Sequence, residues 1–396
     1  MARRVAHPSV DDRKAKGLEA RDHALPSGHT GWKPATDRPD PVDLLVEQET
    51  TREPDLVPVR HGRMMVSPFT FPRGAAKIMA ADLAATPVAG LEAQLCGDAH
   101  LSNFGSFASP ERRLLFDVDD FDETLPGPFE YDVKRMAASF TIAARNNGFS
   151  PADTRAATLE SVRAYRAAMA SFAQMGTMDI WYAHLDEDDL RTGIRNAVAG
   201  ASGQEKADRR EEKTAKAAEK RAEKRLGKAH TRDSHQALSK LCEVIDGKYQ
   251  IVSQPPVVIP GRDLAATYGI SAAGVIPQGQ LMMQAASDIY LGWPKGLDVK
   301  RHYYWRQLRG MKGSAIVEAM VPLGLNYYAQ ICGWTLARAH ARSGDPVAIA
   351  EYLGETDAFD KSITDFAQRY ADQNEQDYGE FVDAVKSGRL EAHEGI

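Results

Sequence analysis

Cysteine is scarce in this 396-residue chain, and its three positions, Cys96, Cys242 and Cys332, lie far apart. An odd number of distant cysteines supports neither a disulfide framework nor zinc-ligand spacing. A reducing compartment is the simplest reading. Long apolar runs are lacking too. The basic start "MARRVAHPSVDDRKAKG" is followed by no apolar segment, so neither a signal peptide nor a membrane-spanning helix is expected. There is no excess of positive charge: the formal net charge is -6, which removes the global basic field of a nucleic-acid binder. Together these absences predict a cytoplasmic protein with no membrane partner and no nucleic-acid partner. What the chain does have is apolar content, 43% of its residues, enough for one elaborate domain or two.

Residues 1–60 are rich in Pro, Asp, Arg and His and read as an irregular N-terminal arm. Helical spacing of Ala, Ile, Met and Leu predicts a helix from Phe71 to Ala85. "LEAQLC" and "RRLLFDV" read as two strands of a hairpin-like unit. "FEYDVKRMAASFTIAARNNG" reads as a helix stopped by Gly148, and the next helix begins with Ser150 as cap and Pro151 in its first turn. The charged run 205–228 has almost no apolar face and is expected to be a solvated helix or flexible arm. "YQIVSQPPVVIPG" is expected to be extended because its prolines exclude helix. "KRHYYWRQLRG" is expected to be a strand, and Trp293, Tyr303, Tyr304 and Trp305 core or cleft wall. The final hundred residues are expected to be helical, on the period of Phe359, Ile363, Phe366, Tyr370, Phe381 and Val385.

The densest chemistry lies in "CGDAHLSNFG" (Cys96 to Gly105) and "LLFDVDDFDET" (Leu114 to Thr124). Asp98 and Asn103 stand five positions apart, the spacing of a kinase catalytic loop. In such a loop the Asp accepts the proton of a substrate hydroxyl and the Asn oxygen binds magnesium. The first candidate for catalysis is therefore Asp98, with His100 beside it. A second metal-binding carboxylate is needed at the end of a following strand. Asp120 fills that place best, with Asp117 and Asp119 as alternatives. Magnesium or manganese suits Asp and Asn oxygens. Zinc does not suit His100, which has no second His or Cys at a helpful spacing. Aspartates crowded in one loop repel unless a cation or arginines compensate. Structural pairing with Arg63, Arg73, Lys134 or Arg135 therefore stands as the alternative reading. Arg73, ahead of a helix, could meet a phosphate. His340 and Asp345 at a helix end could line a cleft or cap the helix.

The blocks "LVPVRHGRMMVSPFTFPRGAAKIMAADLA", "CGDAHLSNFGSFASPERRLLFDVDDFDETLPGPFEYDVKRMAAS", "MQAASDIYLGW", "YYWRQLRGMKGS", "CGWTLARAHARSGD" and "YADQNEQDY" resemble, in order, the bacterial family known as domain of unknown function 2252. The motifs of that family are similar to those of protein kinases. The resemblance implies a mixed α+β, protein-kinase-like fold, circularly permuted. A mainly helical large lobe would surround a small sheet, with a reduced second lobe. The expected parts are the arm (1–60), a catalytic-motif part (61–200), a charged insertion (201–235), the reduced lobe (236–312) and a C-terminal helical part (313–396). The family's Gly-rich turn and Lys-bearing strand should follow "PPVVIP", where this chain reads only "GRDLAATYGISAAGVIPQGQ". The phosphate-holding segment looks deleted unless Arg73, Lys77, Arg306 or Lys312 replaces it. The expected activity is magnesium- and ATP-dependent phosphoryl transfer to a small molecule. A nucleotide- or metal-binding pseudoenzyme and a metal-dependent phosphoester hydrolase are the rival expectations.

Overall fold

A computed structural model describes residues 8–50, 52–202, 209–229, 242–245, 248–251, 280–286, 291 and 311–393. It is a mixed, mostly helical structure with small antiparallel sheets.

Four long helices form the centre. Helix α5 (Phe129–Asn146) buries Phe129, Val133, Met136, Ala137 and Phe140 at helical spacing, and Gly148 (φ 70°) ends it as the sequence predicts. Helix α6 (Pro151–Phe172) starts at Ser150, whose hydroxyl accepts from the Asp153 amide. Of the three C-terminal helices, α10 (Pro322–Ser343) crosses α6 so closely that a Cβ on Gly333 would overlap the Ser161 carbonyl. A short α11 (Pro346–Leu353) precedes α12 (Ala358–Lys386), which buries Phe359, Ile363, Phe366, Tyr370 and Phe381. These helices share one hydrophobic core with the motif-bearing segment.

The N-terminal segment is not an irregular arm. It contains α1 (Val10–His23) and α2 (Pro41–Glu49). Ser9 and Asp12 form a capping box on α1, and Asp40 accepts from the Val42 and Asp43 amides at the start of α2. Proline at the first helical turn explains how a Pro-rich stretch still holds a helix. Helix α3 (Val57–Met64) follows. The helix expected over Phe71–Ala85 is shorter: a 3-10 turn (Pro72–Gly74) breaks at Ala75 before α4 (Ala76–Ala84). Gly74 packs directly against the Met64 side chain, which would have to shift for any larger residue there.

Strands β1 (Glu92–Leu95), β2 (Phe104–Ala108), β3 (Leu114–Val118) and β4 (Leu125–Pro128) carry the motifs. The hairpin expected between "LEAQLC" and "RRLLFDV" does not form. β1 pairs with β4, and β3 pairs with β2, the strand that follows Asn103. Strands β5 (Leu185–Asp186) and, after the β6–β7 hairpin (Cys242–Ile245 and Lys248–Ile251), β8 (Gly313–Ser314) complete a sheet in the order β5-β3-β2-β8. Helix α7 (Thr177–Tyr182) leads to β5, and α8 (Glu187–Ser202) and α9 (Arg209–Ala229) follow it. Of the charged run, residues 209–228 are helical, and Ala218, Ala222 and Leu226 form a half-buried stripe that ends at the buried Ala229. Among the described residues no helix is long and apolar enough to cross a membrane. The stretches "SQPPVVIPG" and "KRHYYWRQLR", the aromatic cluster Trp293, Tyr303, Tyr304 and Trp305, and Arg306 lie outside the described residues.

One buried ion pair ties the sheet to the helices. Asp117 on β3 is fully buried and accepts from Arg338 of α10 at 2.7 Å, and from the amides of Val118 and Ala285. Removing one partner leaves a charge in the core uncompensated. Arg338→Met should therefore lower the unfolding free energy by about 3–5 kcal/mol. The Asp117→Leu, Arg338→Met double variant should recover much of that loss. Urea denaturation of the three proteins measures both effects.

Candidate functional site

The motif loop between β1 and β2 is held from below by charged side chains of the first turns of α5. Asp132 accepts from the amides of Cys96 (2.8 Å) and Gly97 (3.1 Å) and faces His340 Nε2 at 3.2 Å. Glu130 accepts from the Ala89 amide, and Lys134 donates to Thr86 and to the Pro87 carbonyl. Further along α5, Ser139 accepts from the Leu101 amide, while Tyr328 of α10 donates to the carbonyls of Leu101 and Phe104. Gly97 takes φ 85° against the Glu123 carbonyl, where a Cβ would overlap. Glycine is required there, and the close approach brings Glu123 beside the loop.

Asp98 is buried, and its Oδ1 accepts from Arg135 Nε at 2.6 Å. Of the cations expected as structural partners, Arg135 thus takes up Asp98. Its Oδ2 lies 3.5 Å from His100 Nε2, too long for a strong hydrogen bond. Burial pushes the His100 pKa down to about 4, against the pull of Asp98, so the imidazole is neutral. Its Nδ1 is buried without a partner. Asn103 donates its side-chain N–H to the Asp98 carbonyl at 2.8 Å. That bond fixes the rotamer and leaves the side-chain oxygen for another partner. The Cys96 thiol is raised by burial and by Asp132, and so is no nucleophile.

The five carboxylates of "DVDDFDE" do different things. Asp117 is committed to Arg338, which removes it as a metal ligand. Asp119 donates its amide to the Asn103 carbonyl at 2.9 Å, while its side chain lies 3.2 Å from Lys312 Nζ at the β8 edge. Asp120 is the one that shares surroundings with Asp98: both act electrostatically on Cys96, His100 and Glu123. Glu123 was not singled out by sequence reasoning. Burial, then Asp98, Asp120 and Asp122, raise its pKa to about 7. Arg52 is the nearest counter-charge, at 3.9 Å.

Among the described residues no three His, Cys, Asp or Glu side chains converge closely enough to hold a metal ion by themselves. The donor set here is different: an amide oxygen (Asn103) and a carboxylate (Asp120) beside other acids. That set fits magnesium, which takes one or two protein oxygens and completes its shell with water and phosphate.

Arg73 sits in the 3-10 turn before α4, exposed, close enough for its charge to act on His100. Arg73, His100 and Arg135 line one small cavity with Ser102. Lys77 pairs with Glu47. His340 does not line the cleft; it is fully buried between Tyr165 and Asp132. Asp345 caps α11 and pairs with Arg13.

Glu123 gives the site a measurable pH signature. Its pKa is about 7 in the fold and near 4.5 as a free side chain, so the folded chain holds a proton that the unfolded chain has lost. Its contribution to stability is present below about pH 4.5 and falls as the pH rises to about 7. Glu123→Gln should therefore raise the melting temperature relative to the wild type at pH 8 and lose that advantage at pH 4.5. Thermal melts across this range decide it. A difference between the two proteins that does not change with pH would remove the raised acid.

Residues 52–272 and 263–384 match a family described as uncharacterized proteins conserved in bacteria, DUF2252. No curated protein matches the chain. No solved structure matches it. The two matched stretches together take in most of the sequence, the motif loop, both site-bearing helices and α12 up to residue 384, and the chain belongs to the DUF2252 family.

Proposed function

We propose that the chain is a magnesium-dependent, kinase-like phosphotransferase acting on a small hydroxylated molecule. The observation that carries this reading is the order and contact of the parts. A loop bearing Asp98 and Asn103 runs directly into a hairpin, and the hairpin returns Asp119 and Asp120 beside the loop, with the Asp119 amide on the Asn103 carbonyl. Kinases use the sequence catalytic loop, strands, metal-binding Asp. On this reading the helical centre is the large lobe of a permuted kinase-like fold, with the small lobe inserted after the motifs.

Asp98 would accept a hydrogen bond from the substrate hydroxyl and align it. Its ion pair with Arg135 holds the carboxylate in a fixed orientation. A loose phosphoryl-transfer transition state asks mainly for positioning, which this arrangement would supply. The side-chain oxygen of Asn103 and the carboxylate of Asp120 would hold magnesium, which when bound neutralises charge on the transferring phosphate. A second reading, a nucleotide- or metal-binding protein without turnover, is favoured by one observation. The stretch from Gly261 to Gln280 has no lysine and no Gly-rich phosphate turn.

The test is ATP consumption with magnesium over a panel of hydroxylated acceptors, alongside nucleotide binding by calorimetry. Asp98→Asn should leave nucleotide affinity intact and lower turnover by about a hundredfold or more. Asp120→Asn should abolish the magnesium dependence of nucleotide binding. Magnesium-dependent binding with no turnover on any acceptor selects the second reading. Absence of nucleotide binding rejects both.

A further inference from the structure

A group of arginines beside Asp98 is left unused by the roles assigned above. Arg60 on α3 donates from Nη2 to the Gly74 carbonyl at 3.0 Å, while its Nε is buried with no partner. Arg52 is in the same condition: its Nε is buried without a partner, and its nearest carboxylate, Glu123, stands at 3.9 Å, beyond hydrogen-bond reach. Burial, and then the nearby charge of Arg52, lower the pKa of Arg60 against the pull of Glu123, Asp98 and Glu49. Arg73 is exposed and forms no ion pair among the described residues. It belongs to the same 3-10 turn as Gly74, which anchors Arg60, and it borders the cavity that His100 shares with Arg135.

Buried guanidinium N–H groups without an acceptor are costly, and native proteins seldom leave them so. Two neighbouring arginines repel besides. An oxyanion with several acceptor oxygens answers both problems, and a neutral ligand answers only the first. Glu123 is a poor internal substitute: it stops 3.9 Å from Arg52, and burial and then its acid neighbours raise its pKa. The aspartates and Asn103 suit a hydroxyl and a cation, not an anion.

We infer that Arg52, Arg60 and Arg73 form a subsite for an anionic group, phosphate or carboxylate, carried by the acceptor whose hydroxyl meets Asp98. The acceptor role rests on the phosphotransferase reading; the anion site does not. The substrate class becomes a small hydroxylated acid or phosphate ester, held by its anionic end at the arginines.

The probe is inorganic phosphate, titrated into the full chain without metal at constant ionic strength and followed by melting temperature and calorimetry. The wild type should show saturable stabilisation. Arg60→Gln should weaken phosphate by about tenfold or more, as expected for losing a charged hydrogen bond. Arg73→Ala, at an exposed position that leaves folding intact, should weaken it in the same direction. Asp120→Asn should leave it unchanged. No saturable effect, or equal affinity in the wild type, Arg60→Gln and Arg73→Ala, overturns the site and assigns the buried N–H groups to ordered water. Repeating the titration with saturating magnesium and ADP separates the two sources of anion. Unchanged phosphate affinity supports the acceptor subsite. Competition gives the arginines to the nucleotide and overturns the acceptor assignment. A chain that binds phosphate but no nucleotide keeps the anion site while the phosphotransferase reading fails.

Discussion

Two carboxylates with almost no exposure to water, Asp117 and Asp132, decide where the rest of the site can be. Each is answered by α10: Asp117 by Arg338 and Asp132 by His340. The two helix positions are one short step apart, so one rigid element fixes both the end of β3 and the start of the motif loop. A buried carboxylate without its partner would be costly enough to displace the strand or the loop that carries it. Through Asp117 the pair sets the direction in which Asp119 and Asp120 leave the sheet. Through Asp132 it sets the turn at Gly97 that delivers Asp98.

Helix α5 adds a second layer of constraint. Most helices bury apolar side chains and expose charged ones, yet the first turns of α5 bury Glu130, Asp132, Lys134 and Arg135. Each has a named partner in the segment from Pro72 to Asp98. The helix therefore works as a polar clasp on the chain that precedes it. At the site, His100, Arg52 and Arg60 keep buried nitrogens unpartnered, and burial and acid neighbours raise the pKa of Glu123. The clasp is nearly complete by comparison, with Glu130 Oε2 alone of its four side chains left without a partner. Unmet donors at a loop are the expected mark of a binding site rather than of a structural core.

What the sequence could disclose followed the range of the physics involved. The ends of α5 and α6 depend on Gly148, Ser150 and Pro151, which act on amides a few residues away, and they were readable. The capping signals at Ser9–Asp12 and Asp40–Pro41 were equally local; composition alone hid them behind an irregular arm. Strand pairing was not local. β1 chose β4 over β3, a choice made by packing and register and not by either strand's own residues. The aspartates of "DVDDFDE" look alike in one dimension. Only the approach of Arg338 makes Asp117 structural, and only the turn at Gly97 puts Glu123 beside Asp98. Arg52 lies in no motif and Arg60 passes unmarked within "LVPVRHGRMMV"; their importance comes from burial next to an acid loop.

The distance along the chain between Asp117 and Arg338, 221 residues, also has a consequence for how the protein is made. At about 5–20 residues per second, a ribosome would finish Asp117 roughly 10–45 s before Arg338 exists. For most of that interval the motif loop, its hairpin and the start of α5 are outside the tunnel, carrying two acids, Asp117 and Asp132, whose partners are still unwritten. They cannot bury those acids, so they must wait in water, partly unstructured, with the apolar residues of β2, β3 and α5 exposed around them. The residues with the most chemistry in the finished protein are thus among the last to find their places. A nascent chain paused before α10 is the form of this protein most in need of a chaperone.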